Sequence, residues 1–208
     1  MEYAVLGWPD EDPKLRLDYR EFSYAGKFVM SNTGKAVVRD HERGVSDEDG
    51  ALGADGTDRH GADTPEERDW IRDSRIVAAV AFNEDRTDSA TAWLRYVTVR
   101  DDRRGAGLGA RLTRFATARL RERGYERVKI AVNNPFAYHA LYKAGFGYTA
   151  EETGIAELVL ARPGDRSPDR YREGLAAYRE REGLSQAERE FLSAKAGADP
   201  PDVVPVPE

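Results

Sequence analysis

Three glycines at alternate positions, Gly105, Gly107 and Gly109, stand between a run of strand-forming residues and a run with helical spacing. The full segment is Val97-Thr-Val-Arg-Asp-Asp-Arg-Arg-Gly-Ala-Gly-Leu-Gly-Ala110. It predicts a strand, a short polar link, a glycine turn and then a helix with nothing between turn and helix. Glycines let backbone come close to a ligand, and the first turn of a helix leaves N–H groups unpaired. Those donors, together with the positive end of the helix dipole, suit a pyrophosphate, and Arg103 and Arg104 add charge beside it. Taken alone, the same glycines also fit a tight connection that serves only packing. A Walker loop is disfavoured because no Gly-Lys-Ser/Thr follows, and a dinucleotide fold because the spacing is Gly-x-Gly-x-Gly.

On either side, the pattern alternates between short strands and amphipathic helices. Strand-like runs cover residues 3–7, 15–19 and 27–39, the last broken by the turn Ser31-Asn-Thr-Gly34. Ile76 to Phe82 is an apolar run suited to a central strand, and a hairpin turn over 83–88 leads into a second strand from Ala90 to Val99. Leu108, Leu112, Phe115, Ala116 and Leu120 mark one helix face, with Gly124 as its left-handed cap. Val128, Ile130 and Val132 alternate as a half-buried strand. Pro135 opens a helix ending near Ala144, and a last strand is expected over 154–160. This is the rhythm of an α/β layer. Beyond Pro163, Ser167-Pro168 starts a helix running to Gly183, and Ser185-Gln-Ala-Glu188 is a capping box opening another.

The 208 residues make room for one domain with additions. We place that domain at 1–163 and a C-terminal helical extension with a proline-rich tail at 164–208. Within the domain, 41–68 is dense in Asp and Gly and reads as a flexible acidic loop. The extension is expected to be a brace, a homodimer contact or a lid. No apolar run reaches bilayer length and the N-terminus has no signal-peptide pattern, so a cytoplasmic protein without membrane contact is expected. The absence of cysteine excludes disulfides and thiolate chemistry. A net charge of −6 argues against nucleic acid as a partner. Only six of the 32 basic residues are lysine, which fits a halophile and also a high-GC genome.

Arg104-Gly-Ala-Gly-Leu-Gly109 resembles the Arg/Gln-x-x-Gly-x-Gly/Ala signature of the GNAT superfamily of N-acetyltransferases, and a Val-x-Val strand end precedes it. Asn134-Pro-Phe-Ala137, followed by Gly145-Phe146, is similar to a second block of the same family. The resemblance covers roughly residues 75–162. It implies a mixed, mostly antiparallel central sheet flanked by helices, and acetyl-CoA as the acyl donor, with no metal. By the same resemblance, Val97, Thr98 and Val99 would pair with the pantetheine arm. Arg104, Gly105, Ala106, Gly107, Leu108, Gly109 and Ala110 would hold the pyrophosphate. Asn134 would lie near the donor arm, and as a helix N-cap it has a structural role as well. The implied activity is transfer of an acetyl group to a primary amine of a small molecule or a protein.

The tyrosine that serves as acid in many members corresponds to Leu141 here. Tyr142 and Tyr138 share a neighbouring helix face and are the candidate acids, with water as the other option. The backbone N–H of Val99 is a candidate for the oxyanion. Glu84, Asp85, Asp88, Glu151 and Glu152 are conceivable bases but read as solvated surface groups, and His139 as a packing or surface residue, so no base is assigned. The Leu141 position also leaves open a module of the same fold that binds acyl-CoA as a sensor with little transfer.

Overall fold

The computed structural model of the protein describes residues 1–42 and 70–208. Most of the acidic loop expected over 41–68 therefore lies outside the described residues. Seven strands of the described residues form one sheet: β1 (Glu2–Gly7), β2 (Gly34–Arg39), β3 (Ile76–Glu84), β4 (Thr91–Val99), β5 (Arg127–Val132), β6 (Gly147–Glu152) and β7 (Leu158–Arg162). Their order is β1-β2-β3-β4-β5-β7-β6, and every neighbouring pair is antiparallel except β4 and β5. Among the described residues four helices accompany them: α1 (Leu108–Glu122), α2 (Pro135–Lys143), α3 (Pro168–Arg179) and α4 (Gln186–Ala194). This is the mixed, mostly antiparallel α/β sheet with flanking helices that the resemblance implied.

β3 is buried on both faces from Ile76 to Phe82, as its unbroken apolar run requires of a central strand. From Ala78 on, its even and odd residues enter two different cores. Ala78, Val80 and Phe82 join Leu94, Leu112, Phe115 and Phe146 under the helices. Ala79 and Ala81 join Leu15, Phe22, Phe28 and Val37 on the opposite face. We refer to these as the helix face and the second face.

Three expected elements differ. The run 15–19 is not a strand, because Leu15 makes only an isolated bridge to Ile71 and no neighbouring strand continues the pairing. In the run 27–39 only Gly34–Arg39 is extended, since residues 25–27 close a 3₁₀ turn. The last strand begins at Leu158, because 154–156 form the turn after β6. β6 itself is an element the sequence pattern does not announce. Its sequence GYTAEE lacks alternation, and its register with β7 breaks between Tyr148 and Glu152, where Ala150 has φ of 64°.

The segment after Pro163 is built into the helix face. Tyr171, Leu175 and Tyr178 of α3 have no exposed surface and belong to the same core as Leu112 and Phe146. Gly174 lets α3 approach α2, since a Cβ there would overlap the Tyr138 hydroxyl. The tail then crosses back over the end of α2, where Val204 N–H donates to Lys143 O at 2.8 Å. Ser167 and Ser185 cap α3 and α4 as their sequence positions predict.

Candidate active site

The sheet opens where β4 and β5 part. They pair only from Thr91 to Leu94 against Arg127 to Ile130, and β4 then runs five residues further with no strand on that side. A bulge helps turn it away. Between Ala81 and Phe82 of β3 the partners on β4 are Tyr96 and Leu94, which leaves Arg95 as an extra residue. The end of β5 is held from the other direction by α3 and the residues after it. Tyr178 Oη donates to Val132 O at 2.9 Å, and Arg181 Nη1 donates to Asn133 O at 2.9 Å.

Arg100 N–H donates to Val77 O on β3. Backbone groups alternate along a strand, so those of Thr98 also face β3, while the N–H and C=O of Val97 and Val99 face the opening. The opening is lined by a continuous cleft of about 530 Å³. It takes in Val97 and Val99 of β4, the turn at Gly105 and Gly107, the start of α1, and one side of α2.

Gly105 and Gly107 have φ of 82° and 76°, the left-handed region that glycine enters without a Cβ penalty. Gly107 is the N-cap of α1 and no side chain caps that end. The first-turn N–H groups are thus left for a ligand. Gly109 differs in kind: its φ is unexceptional, and an added Cβ would meet only Val99 Cγ2 at 3.5 Å. Nothing in the chain itself demands glycine there, so its missing side chain serves the cleft. The neighbouring cations are already engaged. Arg103 Nη2 donates to Asp40 Oδ2 at 2.6 Å, and Arg104 Nη2 reaches Asp101 Oδ1 at 2.6 Å and Ser23 Oγ at 2.7 Å.

Nine of the expected donor-binding residues meet along this cleft: Val97, Val99, Arg104, Gly105, Gly107, Leu108, Gly109, Ala110 and Asn134. Two do not. Thr98 has its backbone toward β3 and its side chain buried at 4% exposure, and Ala106 O is taken by Arg111 Nη2 at 2.6 Å. Asn134 caps α2 by accepting Ala137 N–H at 2.8 Å while also lining the cleft, so its capping role and its place by the opening coexist.

The tyrosines fall elsewhere. Leu141 and His139 line the cleft, whereas Tyr138 and Tyr142 are fully buried on the other side of α2. The Tyr142 hydroxyl accepts Tyr148 N–H at 3.1 Å, and that of Tyr138 donates to Tyr171 O at 3.1 Å. Burial raises the pKa of both phenols. Their oxygens are spent on β6 and α3, so the acid role expected for them has no geometry behind it. His139 Nδ1 lies 2.8 Å from Tyr171 Oη. Burial, then the charges of Lys195 and Lys143, push its pKa down to about 4.

Of the carboxylates considered as bases, none lines the cleft; Asp85, for one, accepts from Thr87 N–H and Trp93 Nε1, which with the Thr87 hydroxyl hold it down to about 2. Sequence reasoning missed Glu157, the carboxylate that does line it. It also missed Phe191, which α4 brings against Phe136 with ring centroids 4.9 Å apart. Among the described residues, no group of three or more His, Asp or Glu side chains is placed to hold a metal ion. No helix there is long and apolar enough to cross a membrane.

The model of the acetyltransferase (GNAT) family matches residues 39–148, just over half of the chain. Among solved structures the chain is similar to an acetyltransferase from Thermus thermophilus, at 24% identity over 43% of this chain and 57% of that one, with a TM-score of 0.36. It is similar to the PaiA N-acetyltransferase from Thermoplasma acidophilum in complex with coenzyme A, at 17% identity over 44% and 55%, with a TM-score of 0.37. A GCN5-related N-acetyltransferase from Kribbella flavida is 14% identical over 62% and 67%, with a TM-score of 0.42. The chain thus spans little more than half the length of the first two. No curated protein matches it.

Proposed function

The chain belongs to the GNAT acetyltransferase family, and on that premise we propose that it uses acetyl-CoA to acetylate a primary amine by direct attack. The observation that carries this is the continuity of one cleft from an uncapped helix N-terminus, past the stretch of β4 at Val97 and Val99 that no strand covers, to the opening between β4 and β5. Such a path fits a long donor with a phosphate at one end and a reactive group at the other. Gly109 supports the fit, because a side chain there would fill space that the chain's own packing leaves free.

A bound donor supplies a thioester carbonyl to the opening. The residues of this chain do the rest by position. The first-turn N–H groups of α1 hold the phosphates, and the edge of β4 aligns the arm as an added strand. An N–H of that edge, with Val99 the candidate, faces the carbonyl oxygen as charge develops on it. Leu141 and Ile130 keep water from the arm. Neither Tyr138 nor Tyr142 reaches the opening, so the departing thiolate takes its proton from the attacking nitrogen or from water.

A second reading is favoured by Leu141 itself. With an apolar side chain where a proton donor would serve and with Tyr138 and Tyr142 turned away, the same cleft also suits a module that senses acyl-CoA without efficient transfer. Two measurements separate these. Acetyl-CoA at millimolar concentration is expected to raise the melting temperature by linkage, and no shift would overturn both readings. Release of free CoA thiol with a panel of amines is then expected for the enzyme, and its absence with every amine would leave the sensor.

A further inference from the structure

The cleft passes through the sheet, and its two mouths differ in chemistry. The donor mouth described above opens on the helix face, where Val97 and Val99 pack against the core under α1. On the second face, Tyr96 packs with the other core, and Trp93 stands opposite Lys129 across the β4–β5 pair. Ala131 follows Lys129 on that face by alternation. Val132 faces Leu158 of β7, and Asn133 and Glu157, the residues next to that pair, both line the cleft. Tyr24, Arg95, Tyr96 and Glu157 all line the cleft, Tyr24 and Tyr96 as a pair on the second face.

Tyr24 is placed there at a conformational cost. It has φ of 62° and ψ of 17°, a left-handed geometry unfavourable for a bulky residue, and 58% of its surface is exposed. Its loop is tied to the donor turn through Asp101 N–H to Glu21 O at 3.0 Å and Arg104 to Ser23 Oγ at 2.7 Å. The ring lies 6.3 Å from that of Tyr96, forming an aromatic wall. The turn before β7 carries Ile155, 78% exposed, two residues before Glu157. The Glu157 carboxylate has one weak partner, Thr153 Oγ1 at 3.4 Å, and no ion pair among the described residues. A carboxylate lining the same cleft as an aromatic pair suits an ammonium on an apolar stem. The other charged residues that line the cleft, Arg95, Arg103, Arg104 and Lys143, are basic. Arg95 lies over Trp93 at 5.3 Å, held by Asn83 Oδ1 at 2.6 Å, and Lys27 lies over Tyr96 at 5.8 Å. A second positive charge on the ligand would meet them.

We propose that this mouth is the acceptor site, that Glu157 receives the acceptor's ammonium, and that the acceptor class is a primary monoamine with an apolar or aromatic body rather than a polyamine. This rests on the acetyltransferase reading. The ammonium gives one proton to Glu157, and the freed nitrogen lone pair forms the new C–N bond. The C–S electrons leave on the CoA sulfur, the second nitrogen proton neutralises that sulfur, and Glu157 returns its proton to water.

The test uses the full chain, acetyl-CoA, 2-phenylethylamine and spermidine. Glu157→Gln is nearly isosteric and part-exposed, so it should fold. It is expected to lower kcat/KM for 2-phenylethylamine by about 10- to 100-fold, the loss of one charge-assisted contact. Its thermal shift with acetyl-CoA should match that of the parent protein, and Glu157→Asp should recover part of the loss. Spermidine should be the poorer acceptor of the two. Parent-like kinetics in Glu157→Gln, or a preference for spermidine, would overturn the proposal. Calorimetric binding of 2-phenylethylamine to the CoA-saturated protein separates the two levels of inference. Binding lost in Glu157→Gln without any thiol release would sink the transfer reading and keep this one, and absence of amine binding would sink this one.

Discussion

The N-termini of α1 and α2 make an instructive contrast, because both follow a strand, both border the same cleft, and they are finished in opposite ways. α2 is closed: Asn134 caps it, Pro135 fills its first position, and the hydroxyls of Tyr138 and Tyr142 are bonded to α3 and β6. α1 is left open at Gly107, with glycine at the positions where a side chain would be nearest to a ligand. An element whose polar groups are all satisfied internally supports; one whose donors are unspent binds. The distinction assigns stability to the α2–α3 contact and ligand affinity to the α1 turn, and substitutions at each should separate cleanly.

The largest effect is expected at Gly174. A Cβ there would overlap the Tyr138 hydroxyl, and Tyr138 is itself enclosed by the rings of Tyr142, Tyr171 and Tyr178 at 4.9, 5.8 and 5.7 Å. Interiors packed to this density do not absorb added volume. Gly174→Val should therefore cost about 3 kcal/mol or more of unfolding free energy in a urea titration, at the upper end for overpacking. A loss below about 1 kcal/mol would show that α3 rides on the domain instead of being part of its core.

Gly109→Ala sharpens the contrast from the other side. In the first turn of α1 an alanine lowers backbone entropy in the unfolded chain, and its Cβ meets only Val99 at an ordinary distance. Stability should hold or rise by about 0.5 kcal/mol. Acetyl-CoA affinity, read by calorimetry, should fall by about 30-fold, since the methyl group occupies space beside the phosphate donors. Equal affinity in the variant would mean the glycine serves packing after all.

How legible these features were in the sequence follows from how local they are. The order β3, β4, α1, β5, α2 was readable because each element carries its own periodicity and its own stop. The caps Asn134, Ser167 and Ser185 were readable because a cap depends on residues two or three positions away. The opening between β4 and β5 was not readable from residue types, since it depends on an extra residue at Arg95 and on bonds from Tyr178 and Arg181 to the end of β5. The direction of Tyr138 and Tyr142 was hidden for the same reason. A helix of nine residues has apolar side chains all around, and only α3, about thirty positions on, decides which face is inside. Glu157 escaped because it stands just before β7, whose start at Leu158 beside the end of β5 a strand expected from 154 does not reveal.

His139 belongs to both regions, and the smallest effect is expected there. It lines the cleft on one side and meets the α3 residue Tyr171 on the other, with Lys143 and Lys195 close enough to disfavour its charged form. Its folded pKa of about 4 lies below the ordinary 6.5, so between those values the unfolded chain binds a proton that the folded chain refuses. Stability must rise with pH through this window, and acidification from pH 7 to 5 should cost the folded state about 1 kcal/mol through this residue after allowance for its partial exposure. His139→Asn keeps a polar group near the Tyr171 hydroxyl and removes the titration. Its melting curve should therefore fall less between pH 7 and 5 than that of the parent, while other acid-sensitive groups act on both alike. Parallel curves would mean that the imidazole takes up its proton without leaving Tyr171, and that the wall between cleft and core is softer than the packing around Tyr138 implies.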